Sequence, residues 1–318
     1  MEDLLRPAAL RPGDLVALVP TARAVGADEL LEGVSLLEHW GLRVRLGAGV
    51  GRKHFQFAGT HAERAADLQA AIDDPEVRAI WCARGGYGTV HVMESVDLRP
   101  LRHDPKWIIG FSDVTVLHNA LHNLGLCSLH AQMPFHIGAK TPETRGSLRR
   151  ALFGGPLEIR SSLAGSTAGA GAVNRPGIAE GVVVGGNLSL LYALHGTSFD
   201  IDPRGRILVL EDLDELLYHV DRMVMNLKLG GWFKDLAGLV VGGMTDMHNK
   251  NEQDPFGQTA EEIIANAVGW SDYPVCFGFP VGHIADNHAL VLGAKAKLSV
   301  TPEGATLSCA EGGIPPGA

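Results

Sequence analysis

Short apolar runs alternate with amphipathic stretches along the first half of the chain. Consecutive apolar residues predict buried strands, and apolar positions repeating every three or four residues predict helices that cover a sheet. The predicted strands are 14–20, 42–46, 78–83 and 106–111, and the predicted helices are 27–41, 61–74 and 113–123. Thr60 and Glu63 have the spacing of a capping box before the second helix. This alternation predicts a mostly parallel, doubly wound sheet.

The second half resumes the alternation after a change of composition. Residues 154–177 are rich in Gly, Ala and Ser, which predicts a linker, with one strand at 156–161. The strands predicted after it are 181–186, 206–211, 237–243 and 273–280, and the helices are 187–195, 216–229 and 258–268. The pattern therefore predicts an α/β protein with an N-terminal domain at 1–153 and a C-terminal domain at 178–318.

Composition and charge narrow the class of protein. The chain has 318 residues, of which 46% are hydrophobic, and a net charge of −9, which argues against nucleic acid as a partner. The N-terminus has early acids and no long apolar run, so we expect no signal peptide, no membrane partner and a cytoplasmic location. The cysteines are far apart, which predicts neither a zinc knuckle nor a disulfide framework; they are Cys82, Cys127, Cys276 and Cys309.

Ser112 is the candidate nucleophile. A predicted strand ends at Phe111 and a predicted helix opens at Asp113, so Ser112 occupies a sharp turn at the carboxyl end of the sheet. Amides and the dipole of a helix N-terminus favour a developing oxyanion there. The GxSxG elbow is half met, because Gly110 is present but Val114 replaces the second glycine. A serine before a helix is also commonly an N-cap, so both interpretations stay open.

The turn RGGYG at 84–88 follows another predicted strand. Gly85 and Gly86 let the backbone approach a ligand and direct amide groups at an oxyanion or a phosphate. A phosphate-loop pattern and the GxGxxG pattern are both absent from this turn. The glycines can equally serve only to make the turn tight.

A nucleophilic serine needs a base, and the base needs an orienting group. Glu211 stands at the carboxyl end of the strand 206–211, and its competitors, interpreted as solvated or capping groups, are Asp212, Asp214 and Glu215. His283 follows Gly282 in a loop after a strand, which favours an exposed catalytic imidazole, whereas His288 beside an apolar run is interpreted as structural. The order Ser, Glu, His is that of α/β hydrolases.

His118 and His122 offer a metal alternative, because they lie four residues apart on one predicted helix. The segment lacks the Glu of HExxH, and histidines on such a face are more often packed or capping groups. We therefore expect neither a metal nor another cofactor.

Six short motifs in a fixed order resemble the LD-carboxypeptidases, serine peptidases that include murein tetrapeptide carboxypeptidases and microcin-immunity peptidases. Each motif alone is weak, but the ordered set is specific and spans roughly Arg11 to Val300. The motifs are RGGYG (84–88), GFSD (110–113), GGNL (185–188), LVLED (208–212), DRM (221–223) and GFPVGH (278–283).

The resemblance implies a role for each matching residue. Ser112 would be the nucleophile, Glu211 the residue that orients the histidine, and His283 the base, with the glycine pair of RGGYG and the amide of Asp113 forming the oxyanion hole. It also implies a flavodoxin-like N-terminal domain, a smaller α/β C-terminal domain, a site between them and a homodimer. The implied reaction removes terminal D-alanine from a murein tetrapeptide in cell-wall recycling.

Two features of the substrate site stay open. A free terminal carboxylate needs a cation or amide donors, and the candidates are Arg84, beside the glycine turn, and Arg222 in DRM. The first strand ends in VPTARA, where the family more often has a serine-rich turn, so contacts from this loop are not implied.

Two other functions are compatible with the sequence. The microcin-immunity branch cleaves an amide that joins a peptide or amino acid to a nucleotide-like part, and it would need an aromatic platform, for which Tyr87 and Trp232 are the candidates, although Trp232 is more typical of a core residue. A non-catalytic α/β protein that holds an anion at RGGYG is the alternative of another class.

Overall fold

The computed structural model of the protein describes residues 4–162 and 174–309. A parallel sheet forms the first half of the molecule. Its strands are β1 (Leu15–Val19), β2 (Arg43–Leu46), β3 (Val77–Cys82), β4 (Trp107–Gly110) and β5 (Ser128–His130). They pair in the order β2-β1-β3-β4-β5, all parallel. This is the strand order of flavodoxin, so the predicted fold of this half is confirmed.

Helices cover both faces of this sheet. They are α1 (Leu31–His39), α2 (His61–Asp73), α3 (Thr89–Val92), α4 (Thr115–Asn123) and α5 (Pro142–Leu152). The predicted capping box is present before α2, with Thr60 accepting from the Glu63 amide and Glu63 accepting from the Thr60 amide. Sequence patterning did not predict α5, although Thr141 caps it and Pro142 opens it.

The second sheet has a parallel half and an antiparallel half. Its strands are β6 (Glu158–Ser162), β7 (Gly177–Asn187), β8 (Ile207–Leu213), β9 (Gly238–Thr245), β10 (Val275–Cys276), β12 (Lys295–Thr301) and β13 (Gly304–Cys309). They pair in the order β10-β9-β8-β7-β12-β13-β6, of which the first four are parallel. The helices of this half are α6 (Leu188–Leu194), α7 (Leu217–Leu229) and α8 (Ala260–Ala267).

One short strand connects the two halves. β11 (Leu290–Leu292) runs antiparallel to β5, so a segment of the predicted C-terminal domain completes the first sheet. The strand predicted in the linker is β6, and linker residues 163–173 lie outside the described part of the chain. The strand predicted at 273–280 shrinks to β10, because Gly278 turns the backbone to φ +63° and Pro280 lacks an amide for pairing.

The two sheets meet where their parallel strands end. At Gly186 of β7, which has φ +139°, a Cβ would lie 2.7 Å from Thr115 Oγ1 at the start of α4. The amide of Asn187 donates to that same oxygen at 3.1 Å. Glycine thus lets the second sheet touch the helix that follows Ser112, which brings the two strand-end regions together.

No helix in the described part of the chain is both long and apolar enough to span a membrane.

Candidate active site

Ser112 lies on a strained turn between β4 and α4. Its φ of +62° is left-handed, a conformation that costs a non-glycine residue about 1–2 kcal/mol. A single 3-10 turn, Ser112–Val114, then leads into α4. Gly110 is needed before it, since a Cβ there would lie 2.8 Å from Val114 Cγ2. The predicted strand-to-helix turn is therefore present, and its strain is of the kind that accumulates at functional sites.

The glycine turn lies against the serine. A Cβ at Gly85 would be 3.4 Å from Ser112 Oγ, so this glycine backbone borders the hydroxyl. Gly86 has φ +107°, and a Cβ there would be 2.2 Å from Arg23 Cδ. The structure therefore brings the backbone of Gly85 to the Ser112 hydroxyl, as the oxyanion interpretation requires, whereas the neighbour of Gly86 is Arg23.

The side chain of Asp113, next to the serine, accepts a hydrogen bond that stabilises the turn. It is buried, and its Oδ2 accepts from the Thr89 amide at 2.7 Å, at the start of α3. Burial raises the pKa of this carboxyl group above its usual range. The contact ties the serine turn to the segment that follows the glycine turn, and it leaves only the Asp113 amide for an oxyanion.

Arg64 is a buried residue that sequence reasoning missed. Its Nη1 donates to the carbonyl of Gly88 at 2.7 Å and to that of Thr21, and its guanidinium stacks on Phe57. A buried arginine on a helix gives no pattern that separates it from a surface arginine. It supports the far end of the glycine turn.

Glu211 and His283 form a buried acid–imidazole pair. Glu211 Oε2 is 2.6 Å from His283 Nδ1, and the carboxylate is fully buried whereas the imidazole is 14% exposed. Among the described residues, Nδ1 is the His283 ring nitrogen that has a hydrogen-bond partner, which leaves Nε2 available. The imidazole packs on Phe111, with ring centroids 4.7 Å apart, and Phe111 immediately precedes Ser112. His283 is thus less exposed than predicted, because the pair lies between the two sheets.

The electrostatics of the pair favour an ionised carboxylate. Burial raises the pKa of Glu211, but the charge and hydrogen bond of His283, together with the neighbouring imidazole of His130, outweigh burial and hold the pKa well below its usual range. Burial likewise lowers the pKa of His283, and the charge of Glu211 reverses that effect to a net increase. The imidazole is therefore a stronger base than a free histidine.

Gly282 makes this pairing possible. Its φ is +94°, and a Cβ there would lie 2.5 Å from Glu211 Oε2 and 2.6 Å from Glu211 Cβ. The loop can pass over the carboxylate only without a side chain at this position. In the sequence, the only sign of this close approach is that a glycine, Gly282, immediately precedes His283.

The competing acids are placed elsewhere. Asp212 is buried rather than solvated, and it accepts from Asn187 Nδ2 at 2.8 Å and from the Ser189 amide at 2.9 Å, so it caps α6. Burial, with the charge of Glu211, raises the pKa of Asp212 to about 6. The side chain of Asp214 is 75% exposed, and Glu215 pairs with His219 at 2.8 Å.

The three other histidines considered from the sequence have structural partners. His118 lies 2.8 Å from Ser128 Oγ and 2.9 Å from the Gly110 carbonyl, and His122 Nε2 lies 2.6 Å from Arg206. His288 pairs with Asp286 at 3.1 Å. Within 4–162 and 174–309, no group of three His, Cys, Asp or Glu side chains is arranged to hold a metal ion.

Two arginines border the glycine turn. Arg84, the predicted carboxylate-binding residue, donates to the Ala24 carbonyl at 3.1 Å, lies 3.8 Å from Glu29 and stacks on Phe135 at 4.1 Å. Arg23 is exposed and has no ion pair within 4.0 Å among the described residues. Arg222 is exposed on α7, against Tyr218.

Known proteins resemble the chain along most of its length. The model of the LD-carboxypeptidase N-terminal domain matches residues 16–131, and that of the LD-carboxypeptidase C-terminal domain matches residues 180–298. The "Probable murein peptide carboxypeptidase" of Bacillus subtilis (strain 168) is 36% identical, over 98% of this chain and 96% of that protein.

Solved structures show the same fold. A crystal structure of muramoyltetrapeptide carboxypeptidase from Oxalobacter formigenes has a TM-score of 0.80 and 26% identity, and the match covers 92% of this chain and 99% of that one. MccF in complex with glutamyl sulfamoyl guanosine has a TM-score of 0.82 and 20% identity, covering 96% and 98%. At that identity the second match shows the fold alone.

Proposed function

Since the chain belongs to the LD-carboxypeptidase family, we propose that it is a serine carboxypeptidase that releases terminal D-alanine from a murein tetrapeptide, in cell-wall recycling. The observation that carries the proposal is the meeting of a strained serine turn with a buried Glu–His pair. Ser112 has φ +62°, and Glu211 lies 2.6 Å from His283, whose ring packs on the residue before Ser112.

In the proposed mechanism, His283 Nε2 accepts the proton of Ser112 as Oγ attacks the scissile carbonyl. The carbonyl π electrons move to oxygen, and the amides of Gly85, Gly86 and Asp113 stabilise that oxyanion. Collapse breaks the C–N bond, and His283 gives the proton to the leaving amine of D-alanine. Water, deprotonated by His283, then attacks the acyl carbon; the bond from that carbon to Ser112 Oγ breaks, and His283 returns the proton to Oγ.

Glu211 keeps the imidazole oriented and stabilises its protonated form. Because Nδ1 of His283 faces the carboxylate at 2.6 Å, the proton that arrives from Ser112 can be held only at Nε2. The carboxylate charge then lies beside the imidazolium in a site with little water. The low pKa of Glu211 keeps it ionised throughout the cycle.

Recognition of the terminal carboxylate is proposed to use the positive edge of the glycine turn. The bonds from the scissile carbon through N and Cα to the carboxylate carbon sum to about 4.3 Å, so the recognising group must lie near Ser112. Arg84 is in this region but is already engaged by Glu29 and Phe135. Arg23, whose side chain covers Gly86, adds a second charge at the same edge.

Three peptides test the substrate. A murein tetrapeptide, the same peptide amidated at its terminal D-alanine, and the same peptide ending in L-alanine are incubated with equal enzyme, and release of alanine or alaninamide is measured. We expect the amide and the L-alanine peptide to lose most of the activity, mainly in kcat/KM, because each misplaces or neutralises the group next to the scissile bond. Equal cleavage of acid and amide would refute the exopeptidase assignment.

A covalent label tests the serine mechanism separately. A fluorophosphonate should label the wild-type protein and not Ser112→Ala, and a chelator should leave peptide hydrolysis unchanged. Inhibition by the chelator that zinc reverses would instead favour metal catalysis. A protein that binds the peptide but is neither labelled nor active would fit the anion-binding alternative.

The microcin-type activity is a second arm of the same panel. Trp232 cannot supply its base platform, since it is 3% exposed in the core of the second half, whereas Tyr87 is 48% exposed beside the glycine turn. An aminoacyl-nucleotide analogue cleaved faster than the tetrapeptide would make that function the better one.

Assembly and location complete the proposal. We propose a cytoplasmic homodimer, as the resemblance implies, and light scattering after gel filtration measures the state directly. No disulfide joins the cysteines of the described residues, which is consistent with a reducing compartment.

A further inference from the structure

The carboxylate of Glu211 has one oxygen that the triad does not use. Oε2 faces His283, whereas Oε1 is buried and has no hydrogen-bond partner among the described residues. A buried charged oxygen left unpaired costs at least about 1–3 kcal/mol, so it calls for a partner. The nearest titratable side chain on that side is His130, whose Nε2 is 3.9 Å from Oε1.

His130 is itself buried and unpaired. It ends β5, directly opposite Gly110 in the β4–β5 register, and neither of its ring nitrogens has a hydrogen-bond partner within 4–162 and 174–309. A buried imidazole whose nitrogens have no partner also carries the desolvation cost of an unsatisfied polar group. The two unpaired groups lie within about 1 Å of hydrogen-bonding distance of each other.

The surroundings leave Glu211 as the acceptor for His130. From α4, His118 has its ring 6.2 Å from that of His130, but both His118 nitrogens are occupied by Ser128 and Gly110. Phe111 packs against His130 at 5.8 Å and against His283 at 4.7 Å, so it separates the two imidazoles. The other charged groups that act on His283 are Asp212 and Lys140.

We propose that His130 is a positioning residue that donates its Nε2–H to Glu211 Oε1 and thereby holds Oε2 against His283. The inference rests on the proposed triad and extends it to a fourth residue. Hydrogen bonds of catalytic groups are often long in the free enzyme and tighten in complexes, which fits the 3.9 Å separation. The donation also reduces the basicity of Glu211, so that the carboxylate does not take the proton of His283.

A matched pair of variants tests the donor. His130→Met and His130→Gln have similar length, but only glutamine can present an N–H near the Nε2 position. Without the donor, Glu211 becomes more basic and holds the His283 proton more tightly. We therefore expect His130→Met to shift the acid limb of kcat/KM upward by about one pH unit. Its activity at the optimum should fall about tenfold, as for one hydrogen bond to a charged group.

His130→Gln should restore most of the activity and the wild-type acid limb. His118→Gln is the positional control, because it removes a neighbouring buried imidazole that has its own partners; it should lower the midpoint of thermal unfolding without moving the acid limb. Equal profiles for the Met and Gln variants would overturn the proposal, as would an upward shift in His118→Gln alone.

Imidazole ¹⁵N spectra give a readout that needs neither turnover nor a folded His130 variant. In Ser112→Ala, His130 should be the Nε2–H tautomer, and Glu211→Gln should change its shift. An Nδ1–H tautomer in Ser112→Ala would overturn the proposal even if every His130 variant unfolded. If wild-type protein cleaves no peptide while His130 shows the expected tautomer, the proposed function fails and this inference does not.

Discussion

The two halves of the molecule contribute to the site in different ways. The first half supplies a serine held at φ +62° and a glycine turn whose backbone borders the hydroxyl, so its contribution is geometric. The second half supplies a fully buried carboxylate 2.6 Å from an imidazole, so its contribution is electrostatic. Each half uses the carboxyl ends of its parallel strands, where α/β folds gather functional groups.

This difference predicts which kind of substitution each half is sensitive to. A strained turn is sensitive to backbone conformation, because the hydroxyl position follows from φ and ψ. A buried charge pair is sensitive to the loss of either partner, because the remaining charge is left without compensation. Variants that change only geometry or only charge should therefore separate the two contributions.

Removal of the nucleophile should have the largest effect. Ser112→Ala should reduce kcat by about 10⁶-fold, as in other serine hydrolases. The midpoint of thermal unfolding should change little, since Ser112 is only half-buried. Residual turnover of more than a few per cent, measured by D-alanine release, would place the nucleophile elsewhere.

Removal of the charge should rank second. Glu211→Gln should lower kcat by about 10⁴-fold. Because the Glu211 charge raises the pKa of His283, its loss should move the acid limb of kcat/KM to lower pH. Asp214→Asn, at a side chain that is 75% exposed, is the control and should change kcat less than twofold. Similar, mild losses in both variants would mean that the acid is misassigned.

The third-largest effect on kcat should come from adding a side chain where the backbone of the second half passes close to Glu211. Gly282→Ala places a Cβ 2.5 Å from Glu211 Oε2, so the carboxylate or the loop must move. Misplacement by about 1 Å can cost about 10²-fold in kcat. Gly13→Ala is matched in strain, with φ +91° against +94°, but has no atom within 4 Å.

Both glycine variants should lose stability from the left-handed backbone, by about 1–2 kcal/mol. Only Gly282→Ala should lose activity, measured as kcat on the tetrapeptide. Full activity in Gly282→Ala would show that the close approach to Glu211 does not matter for catalysis.

Relief of strain at the nucleophile should have the smallest effect, and it concerns stability alone. Ser112→Gly should be more stable than Ser112→Ala by about 1 kcal/mol, because glycine adopts φ +62° without strain. At Ser35, exposed within α1, the order should reverse, with glycine less stable than alanine by about 1 kcal/mol. Urea unfolding measures both pairs, and the same sign at both positions would contradict the strained turn.

The comparison of pattern and structure separates long elements from short ones. The parallel strands and their helices were predictable, because buried apolar runs and capping signals are local. α5, β5 and β11–β13 were missed. β5 and β11 have three residues each, too few to show a period, and α5 is a polar helix, whereas β12 alternates buried and exposed positions and its pattern was present in the sequence. β11 shows most clearly why pairing could not be predicted, because it pairs with β5, which is distant from it in sequence, and a local pattern carries no information about distant partners.

The sequence by itself determined the alternation of strands and helices, the serine at a strand-to-helix turn, and the order of Ser112, Glu211 and His283. It could not choose between neighbouring acids by physics alone, because successive residues of a strand point to opposite faces and only packing decides which face meets the imidazole. The tertiary structure directs Glu211 to His283, 72 residues later, and Asp212 to the cap of α6. It also engages Arg84 with Glu29 and places His130 behind the carboxylate, contacts that depend on the docking of two sheets rather than on any local pattern.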